Sequence, residues 1–491
     1  MKERFEESWA LWSILAAQAT LTLPWMWRTA AFTDEALYLN ASHQGWSHLP
    51  SYADSFPGLP VLYPPIAAVF DSIGGLIAAR LASLLFMLGA TALVYLIGDR
   101  MFGRIPGVLA ALLFAVCGIV VHLGAAATFD PMALFLLVLA LYAAVRMRDG
   151  GIRWLLICPI ALAAANATKY ATLAWDPVIV GTVIFYGWSK GRTQTVFLAV
   201  SVTATAAVFD FGILLLGGSN LATGVLRNTI YPSPEAGVPS SSLSVLAHAV
   251  LMTGLIVLIA VAGVWVSVVK RMPATATAFL CLLVLGALLA PVEQARVHQL
   301  TSLDENMGFG LPFAALAAGY ALGAWRQWLG WQRHWGKVVA TTTAVITVIT
   351  MLIVGRVERV QFRGPGSVVA GTVWNAIRTN YRSGTYVLVD GADKAAQYYV
   401  PSVPGPKWLT SSPSGSGGGY QMYLWLCAGK VSVVVLRKTA GSYASPYDPY
   451  IAKLMRGRYK RMTIAGTADY QTSVWALSRS GHIAEGCPGG N

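Results

Sequence analysis

Apolar segments long enough to cross a membrane recur along the first 355 residues of this 491-residue chain. The hydrocarbon core of a bilayer is about 30 Å thick, and an α-helix of about 20 apolar residues spans it. Such segments fall near residues 9–29, 76–98, 105–123, 130–146, 153–168, 171–187, 195–217, 244–268, 275–292, 308–325 and 338–355. Since 56% of the residues are hydrophobic and only 12% are charged, we predict an α-helical polytopic membrane protein with about 11 transmembrane helices.

The basic residues indicate the orientation of these helices. The formal net charge is +13, and the cations cluster in every second gap between apolar segments, at 99–104, 146–153, 190–192, 270–271 and 326–337. Cytoplasmic loops carry such an excess of Lys and Arg. We therefore expect no nucleic-acid partner and a cytoplasmic N-terminus, next to Lys2 and Arg4. With an odd number of helices, the C-terminus lies outside.

The composition changes after Val354. Residues 356–491 alternate short strand-like runs, such as Thr385–Val389 and Val431–Leu436, with turns rich in Gly, Ser and Pro. We predict two domains: a transmembrane domain over residues 1–355 and an extracytoplasmic soluble α/β domain over residues 356–491.

The five cysteines divide between these domains. Cys117, Cys158 and Cys281 lie in apolar segments, where a cysteine behaves as a small hydrophobe. Cys427 and Cys487 lie in the C-terminal region. A disulfide between them is permitted outside the cytoplasm, and the sequence leaves open whether it forms.

The acidic residues favour the opposite face from the cations. A pair of them, Asp34 and Glu35, directly follows the first apolar segment. A carboxylate at a membrane surface can be a general base, a metal ligand or the N-cap of a helix. The loop that they open also carries residues able to border a substrate groove or to form an interfacial aromatic belt, namely Tyr38, His43, Trp46 and Tyr63.

Two further ionisable residues lie where apolar segments meet. Asp130 starts a segment and is followed by Pro131, which is typical of the first turn of a helix. It is either an N-cap or a second catalytic or metal-binding carboxylate. Lys169, next to Tyr170, is a cation within an apolar stretch. Such residues are functional candidates, although a lysine can also snorkel to the interface. Its expected partner is a phosphate or an outer carboxylate.

A charged outer loop supplies two more candidate cations. Arg296 and His298 are two residues apart, so both point the same way if the loop is extended, and such a pair suits a lipid phosphate. The alternative is a solvated loop. We find no phosphate-binding P-loop, CxxC pair, HExxH or GxSxG motif, so nothing indicates an ATP-driven pump.

The order of these motifs resembles the GT-C membrane glycosyltransferases. The resemblance rests on the acidic pair after the first segment, the re-entry at Tyr63-Pro64-Pro65, the Ala78-Ala79-Arg80-Leu81 segment, the Asp130-Pro131 helix and the Thr168-Lys169-Tyr170 stretch. It covers about residues 8–325 and is nearest to the branch with protein O-mannosyltransferases and lipid A aminoarabinose transferases. An outer C-terminal domain is usual in such enzymes.

The resemblance implies that a sugar moves from a polyprenyl-phosphate donor to an acceptor hydroxyl at the outer face, with inversion, in the bacterial plasma membrane. Asp34 matches the family's catalytic base, and Glu35 and Asp130 are the other candidate catalytic residues. The candidate donor-phosphate ligands, which we infer without a one-to-one match, are Lys169, Tyr170, Arg296 and His298. Some relatives use a divalent metal, for which Asp34, Asp130 and His43 are the available ligands if the fold brings them together. The acceptor is a glycan, a lipid or a protein; the sugar, the metal dependence and the oligomeric state stay open.

Two other classes of function compete with this interpretation. A transporter or flippase of a lipid-linked sugar would use Lys169 as a substrate contact, but we find no inverted repeat of the kind common in transporters. A non-catalytic receptor would rest on residues 356–491 alone and would leave the acidic loop unexplained.

Overall fold

The computed structural model of the protein describes residues 2–43, 62–147, 152–187, 191–226, 240–300, 302–328, 333–361, 367–389, 393–410, 424–439, 458–467 and 470–478. The helices before the sheet are α1 (Lys2–Met26), α2 (Thr33–His43), α3 (Tyr63–Phe102), α4 (Arg104–Val116), α5 (Gly118–Ala125), α6 (Asp130–Arg146), α7 (Ile152–Thr168), α8 (Asp176–Gly187), α9 (Arg192–Val225), α10 (Ser242–Val269), α11 (Ala274–Arg296), α12 (Leu303–Trp328), α13 (Arg333–Gln361) and α14 (Ser367–Asn380). The remaining elements are β1 (Tyr386–Val389), α15 (Asp393–Tyr399), β2 (Trp408–Thr410), β3 (Val431–Thr439), β4 (Tyr459–Thr467) and β5 (Tyr470–Leu477), with short 3-10 turns at Tyr170–Trp175 and Gly405–Lys407.

The predicted membrane character is present, and each predicted apolar segment coincides with helix. Among the described residues, five helices are long and apolar enough to cross a membrane, or six if the bent pair of α4 and α5 is one span. The expected count of about 11 spans is therefore not confirmed. Two shorter apolar helices, Arg153–Thr168 and Thr341–Gly355, account for two more of the predicted segments.

The helical path is broken within or between several of the apolar segments, including α9 at Gly218. In α3 the helical dihedrals are lost at Gly74 and Gly75, and Gly75 has φ +62°, which favours glycine. Between α4 and α5 the axis bends by 60° at Cys117. Between α7 and α8 the chain leaves the helix at Lys169, which has extended backbone dihedrals (φ −153°, ψ 113°), and then forms a 3-10 turn. Irregular backbone at membrane depth is tolerated where protein or a polar cavity surrounds it.

The chain divides into two compact units, which we describe separately. The helical unit comprises Met1–Met26 and Gln44–Phe362, and the mixed unit comprises Trp27–His43 and Arg363–Asn491. The C-terminal part of the mixed unit begins at Arg363, and the unit also takes in the segment that carries Asp34 and Glu35, which the predicted boundaries assign to the transmembrane domain.

The core of the helical unit is built from α3 to α13, with α12 buried over its whole apolar window. Glycines permit the close approach of its helices. A Cβ atom on Gly319 of α12 would lie 2.5 Å from the Pro106 carbonyl oxygen of α4, and one on Gly98 of α3 would lie 2.8 Å from the Gly107 Cα of α4. Small residues of this kind are typical of helix interfaces in membranes.

The mixed unit contains a five-stranded sheet in the order β2-β1-β3-β5-β4. Strand β1 pairs in parallel with β2 and β3, whereas β5 pairs antiparallel with both β3 and β4. The predicted strand-like runs correspond to β1 and β3. Helix α2 packs against α15, so the acidic segment belongs to this unit through direct contacts.

Candidate functional site

A buried ion pair joins two of the predicted residues of the helical unit. The Lys169 ammonium lies 2.6 Å from the Asp130 carboxylate, and the two side chains are 11% and 1% exposed. Asp130 is the first residue of α6, whose N-cap is Phe129 without a side-chain cap. The structure therefore does not use Asp130 as an N-cap, and its carboxylate binds Lys169.

Aromatic rings and further acids surround this pair. The Lys169 ammonium lies 5.2 Å from the ring centroids of both Phe129 and Phe309, within cation–π range. Its distance to the Glu305 carboxylate, at the start of α12, is 3.9 Å. The neighbouring Asp304 lies 3.9 Å from the His122 ring of α5. Lys169 is thus balanced by more than one carboxylate.

A second polar network lies next to the break that presents Lys169. The buried Asn166 amide donates to the carboxylates of Asp176 (3.2 Å) and Asp210 (3.2 Å). Its oxygen accepts from the Thr172 hydroxyl at 2.7 Å, and the same hydroxyl lies 2.8 Å from the Lys169 carbonyl oxygen. The network links α7, the 3-10 turn, α8 and α9.

The acidic pair of the mixed unit lies in the first turn of α2. Glu35 is fully buried, and its carboxylate accepts a hydrogen bond of 3.2 Å from the Phe32 backbone N–H. This is the return half of a capping box, in which the third residue of a helix holds the N-cap amide. Glu35 has a role at the helix start, while Asp34 occupies the preceding position.

Arg296 and His298 are placed differently from the expectation of an extended loop. Arg296 ends α11 and forms an exposed pair with Glu293 at 2.5 Å. His298 has a left-handed backbone (φ +55°), and its Nδ1 lies 3.2 Å from the Ser240 carbonyl oxygen. The condition of an extended loop, under which both cations would point the same way, is not met, because Arg296 lies at a helix end and His298 in a left-handed turn.

The remaining predicted residues are distributed over both units. Tyr38 of α2, Tyr63 at the start of α3 and Tyr170 are all buried. The His43 backbone belongs to α2, but its side chain, like the whole of Trp46, lies outside the described residues. Cys427 is disulfide-bonded, and Cys487 is likewise outside the described residues. Within the described ranges, no group of three His, Cys, Asp or Glu side chains has metal-binding geometry.

The sequence contained signals for residues that we did not select. Asp176 precedes Pro177 as Asp130 precedes Pro131, and Asp210 is an acid inside an apolar segment. Glu305 is an acid at the start of an apolar segment, as Asp130 is. Near the ion pair in sequence, the buried Thr128 hydroxyl and the Asn306 side-chain oxygen have no hydrogen-bond partner among the described residues.

Part of the helical unit matches a known protein family. Residues 59–211 match the family described as dolichyl-phosphate-mannose-protein mannosyltransferase. This range contains Asp130, Lys169, Asn166, Asp176 and Asp210. No curated protein matches the chain.

Solved structures with the same fold include two membrane enzymes. The ArnT of Cupriavidus metallidurans bound to undecaprenyl phosphate has a TM-score of 0.63 and 14% identity, with 95% of this chain and 98% of that chain covered. The Archaeoglobus fulgidus oligosaccharyltransferase has a TM-score of 0.60 and 12% identity, with coverage of 97% and 75%. The same enzyme, AglB, in complex with an inhibitory peptide and a dolichol-phosphate has a TM-score of 0.57 and 13% identity, with coverage of 97% and 75%.

At these identities the solved structures establish the fold alone, and the family match concerns residues 59–211. Residues 59–211 are thus similar to a family of mannosyltransferases, and the chain as a whole has the fold of the ArnT and oligosaccharyltransferase structures. The predicted resemblance is thereby confirmed, and nothing in the comparisons supports the transporter alternative.

Proposed function

We propose that this protein transfers a sugar from a polyprenyl-phosphate donor to an acceptor hydroxyl at the extracytoplasmic face of a bacterial plasma membrane, with inversion at the anomeric carbon. Asp34 acts as the general base that takes the acceptor proton. The acceptor belongs to a glycan or lipid of the envelope, or to a protein.

The buried Lys169–Asp130 pair is the observation that carries this proposal. A charged pair at a break between apolar helices is costly to bury, and here it lies within the range that matches the mannosyltransferase family. The lipid phosphates in the ArnT and AglB complexes support the choice of donor. The donor's leaving group is already anionic, so it needs cationic stabilisation rather than a strong acid.

Lys169 can serve both Asp130 and a phosphate. An ammonium has three N–H donors, and Asp130 takes one at 2.6 Å. We infer that another donates to the departing phosphate, and that Asp130 holds the ammonium in the required orientation. Arg296, His298 and Tyr170 remain secondary candidates for binding the same phosphate. Glu35 remains a candidate catalytic residue, and its carboxylate also accepts the hydrogen bond from the Phe32 N–H.

The first prediction is that Asp34→Asn abolishes turnover. An amide cannot accept the proton, and loss of a general base lowers a rate by about 10²–10⁴-fold. The measurement is release of polyprenyl phosphate from a panel of polyprenyl-phosphate sugars by the purified full-length protein in liposomes. Asp99→Asn, an exposed acid in the last turns of α3, is the matched control and should retain the wild-type rate.

The outcomes separate the parts of the proposal. If wild type and Asp99→Asn release polyprenyl phosphate but Asp34→Asn does not, the result supports the role of Asp34 and identifies the donor. A rate for Asp34→Asn above about a tenth of wild type removes Asp34 from the role of base. No release by folded wild type from any donor, with transport in a flipping assay, would favour a flippase. The anomeric configuration of the product, read by NMR, tests inversion.

A further inference from the structure

We propose that Tyr399, in the C-terminal part of the mixed unit, is a positioning residue for the catalytic helix α2. The inference rests on the proposed role of Asp34. The Tyr399 hydroxyl accepts a hydrogen bond of 2.7 Å from the Ala31 backbone N–H, 368 positions away in the sequence.

Two consecutive backbone amides are held at the start of α2. Ala31 is 2% exposed and donates to Tyr399, and Phe32 donates to the Glu35 carboxylate. Neither amide has an intrahelical partner, because both precede the helix. The Ala36 N–H makes the first helical bond, to the Phe32 carbonyl oxygen. Asp34 lies inside this fixed turn, so the direction of its side chain depends on the two bonds.

Tyr399 is itself fixed on both its ring and its backbone. Its ring stacks on Trp374 of α14, with centroids 5.8 Å apart and an interplanar angle of 12°. Arg378, also on α14, donates a hydrogen bond of 2.8 Å to the Tyr399 carbonyl oxygen at the end of α15. Because both the ring and the backbone of Tyr399 are held, its hydroxyl is a rigid hydrogen-bond acceptor.

The packing around this bond favours one position of the helix. Ala36 and Leu39 of α2 are fully buried, as is Ala396 of α15, and the two helices pack together. Small side chains let the backbones approach, while the Tyr399 bond sets the rotation of the chain entering α2. We infer that the C-terminal part of the mixed unit contributes to turnover through this contact.

The test compares Tyr399→Phe with Tyr381→Phe, wild type and Asp34→Asn. Tyr399→Phe keeps the ring and removes only the hydroxyl, whereas Tyr381→Phe makes the same chemical change at a half-buried tyrosine elsewhere in the mixed unit. For folded full-length protein in liposomes, kcat and the donor KM are measured. Hydrogen exchange is followed in the peptide over residues 28–40.

We expect kcat of Tyr399→Phe to fall about tenfold, because a small misplacement of a catalytic group is costly. The donor KM should stay unchanged, and the amides of residues 31–36 should exchange faster. Tyr381→Phe should resemble wild type. A loss confined to the amount of folded protein would indicate a merely structural role and overturn the inference.

Failure of this inference is distinguishable from failure of the proposed function. A wild-type kcat and exchange rate in Tyr399→Phe, beside an inactive Asp34→Asn, refute positioning and leave the base assignment intact. An active Asp34→Asn refutes the base assignment. If Tyr399→Phe does not fold, Trp374→Phe, which weakens the stack but keeps the hydroxyl, should show a smaller fall in kcat and faster exchange. Wild-type behaviour of that variant would refute the proposal.

Discussion

At the scale of single residues, Lys169 and Asp130 depend on each other. Removing one partner of a buried ion pair leaves an uncompensated charge and costs about 3–5 kcal/mol. We predict that Lys169→Met lowers the unfolding temperature strongly, because Asp130 is only 1% exposed. The measurement is thermal unfolding in detergent.

The matched controls are the double variant and an exposed pair. Lys169→Met combined with Asp130→Asn should lose less stability than Lys169→Met alone, since the buried charge of Asp130 is removed together with its partner. Arg296→Met, whose pair with Glu293 is 54% and 45% exposed, should change stability by about 0–1 kcal/mol. Equal losses for Lys169→Met and Arg296→Met would contradict the burial argument.

Both members of the buried pair could be selected from the sequence because each interrupts an apolar segment with a charge. Their pairing could not be predicted, since 39 residues separate them and only tertiary packing brings them together. The same limit applies to Asp176 and Asp210, which share the Asn166 amide. Glu35 was selected for its charge, whereas the structure shows that its carboxylate also caps α2.

At the scale of elements, the turn between α7 and α8 determines where Lys169 points. Thr172 links the Asn166 side chain to the Lys169 carbonyl oxygen. We predict that Thr172→Val lowers turnover about tenfold through displacement of Lys169, and costs about 1–3 kcal/mol through the unsatisfied partners. Polyprenyl phosphate release and thermal unfolding measure the two effects.

Thr182 provides the matched control for this element. It is fully buried like Thr172, but its hydroxyl bonds only to the Val178 carbonyl oxygen of its own helix. Thr182→Val should keep the wild-type rate. If both variants lose activity equally, the position of Lys169 does not depend on the Asn166 network.

The helices could be predicted from the hydrophobic runs in the sequence, but only some of the breaks between and within them could be. The short segments on either side of Lys169 suggested broken helices, and the structure has a 3-10 turn there. The sequence left open whether the loop after α11 is extended, and the structure turns it at His298 and Ser302, both with positive φ. Sequence patterns fix the period of a helix, whereas loop dihedrals depend on contacts such as that between His298 and Ser240.

At the scale of the whole molecule, helix α2 belongs to the mixed unit, and this indicates on which side of the membrane α2 lies. Cys427 is disulfide-bonded, and disulfides persist in oxidising compartments. Residues 27–43 belong to the same compact unit as Cys427, so we expect Asp34 on the same side of the membrane. We expect that side to be extracytoplasmic, as the positive-inside rule also predicts.

The topology predicts which engineered cysteines a membrane-impermeant maleimide reaches in intact cells. In a Cys281→Ser background, Lys430→Cys, exposed in the mixed unit, should be labelled without permeabilisation. Thr193→Cys, exposed beside the cation-rich gap before α9, should be labelled only after permeabilisation. The converse pattern would place the mixed unit in the cytoplasm, where the Cys427 disulfide would be unstable. Asp34 would then act on donors presented at the inner face.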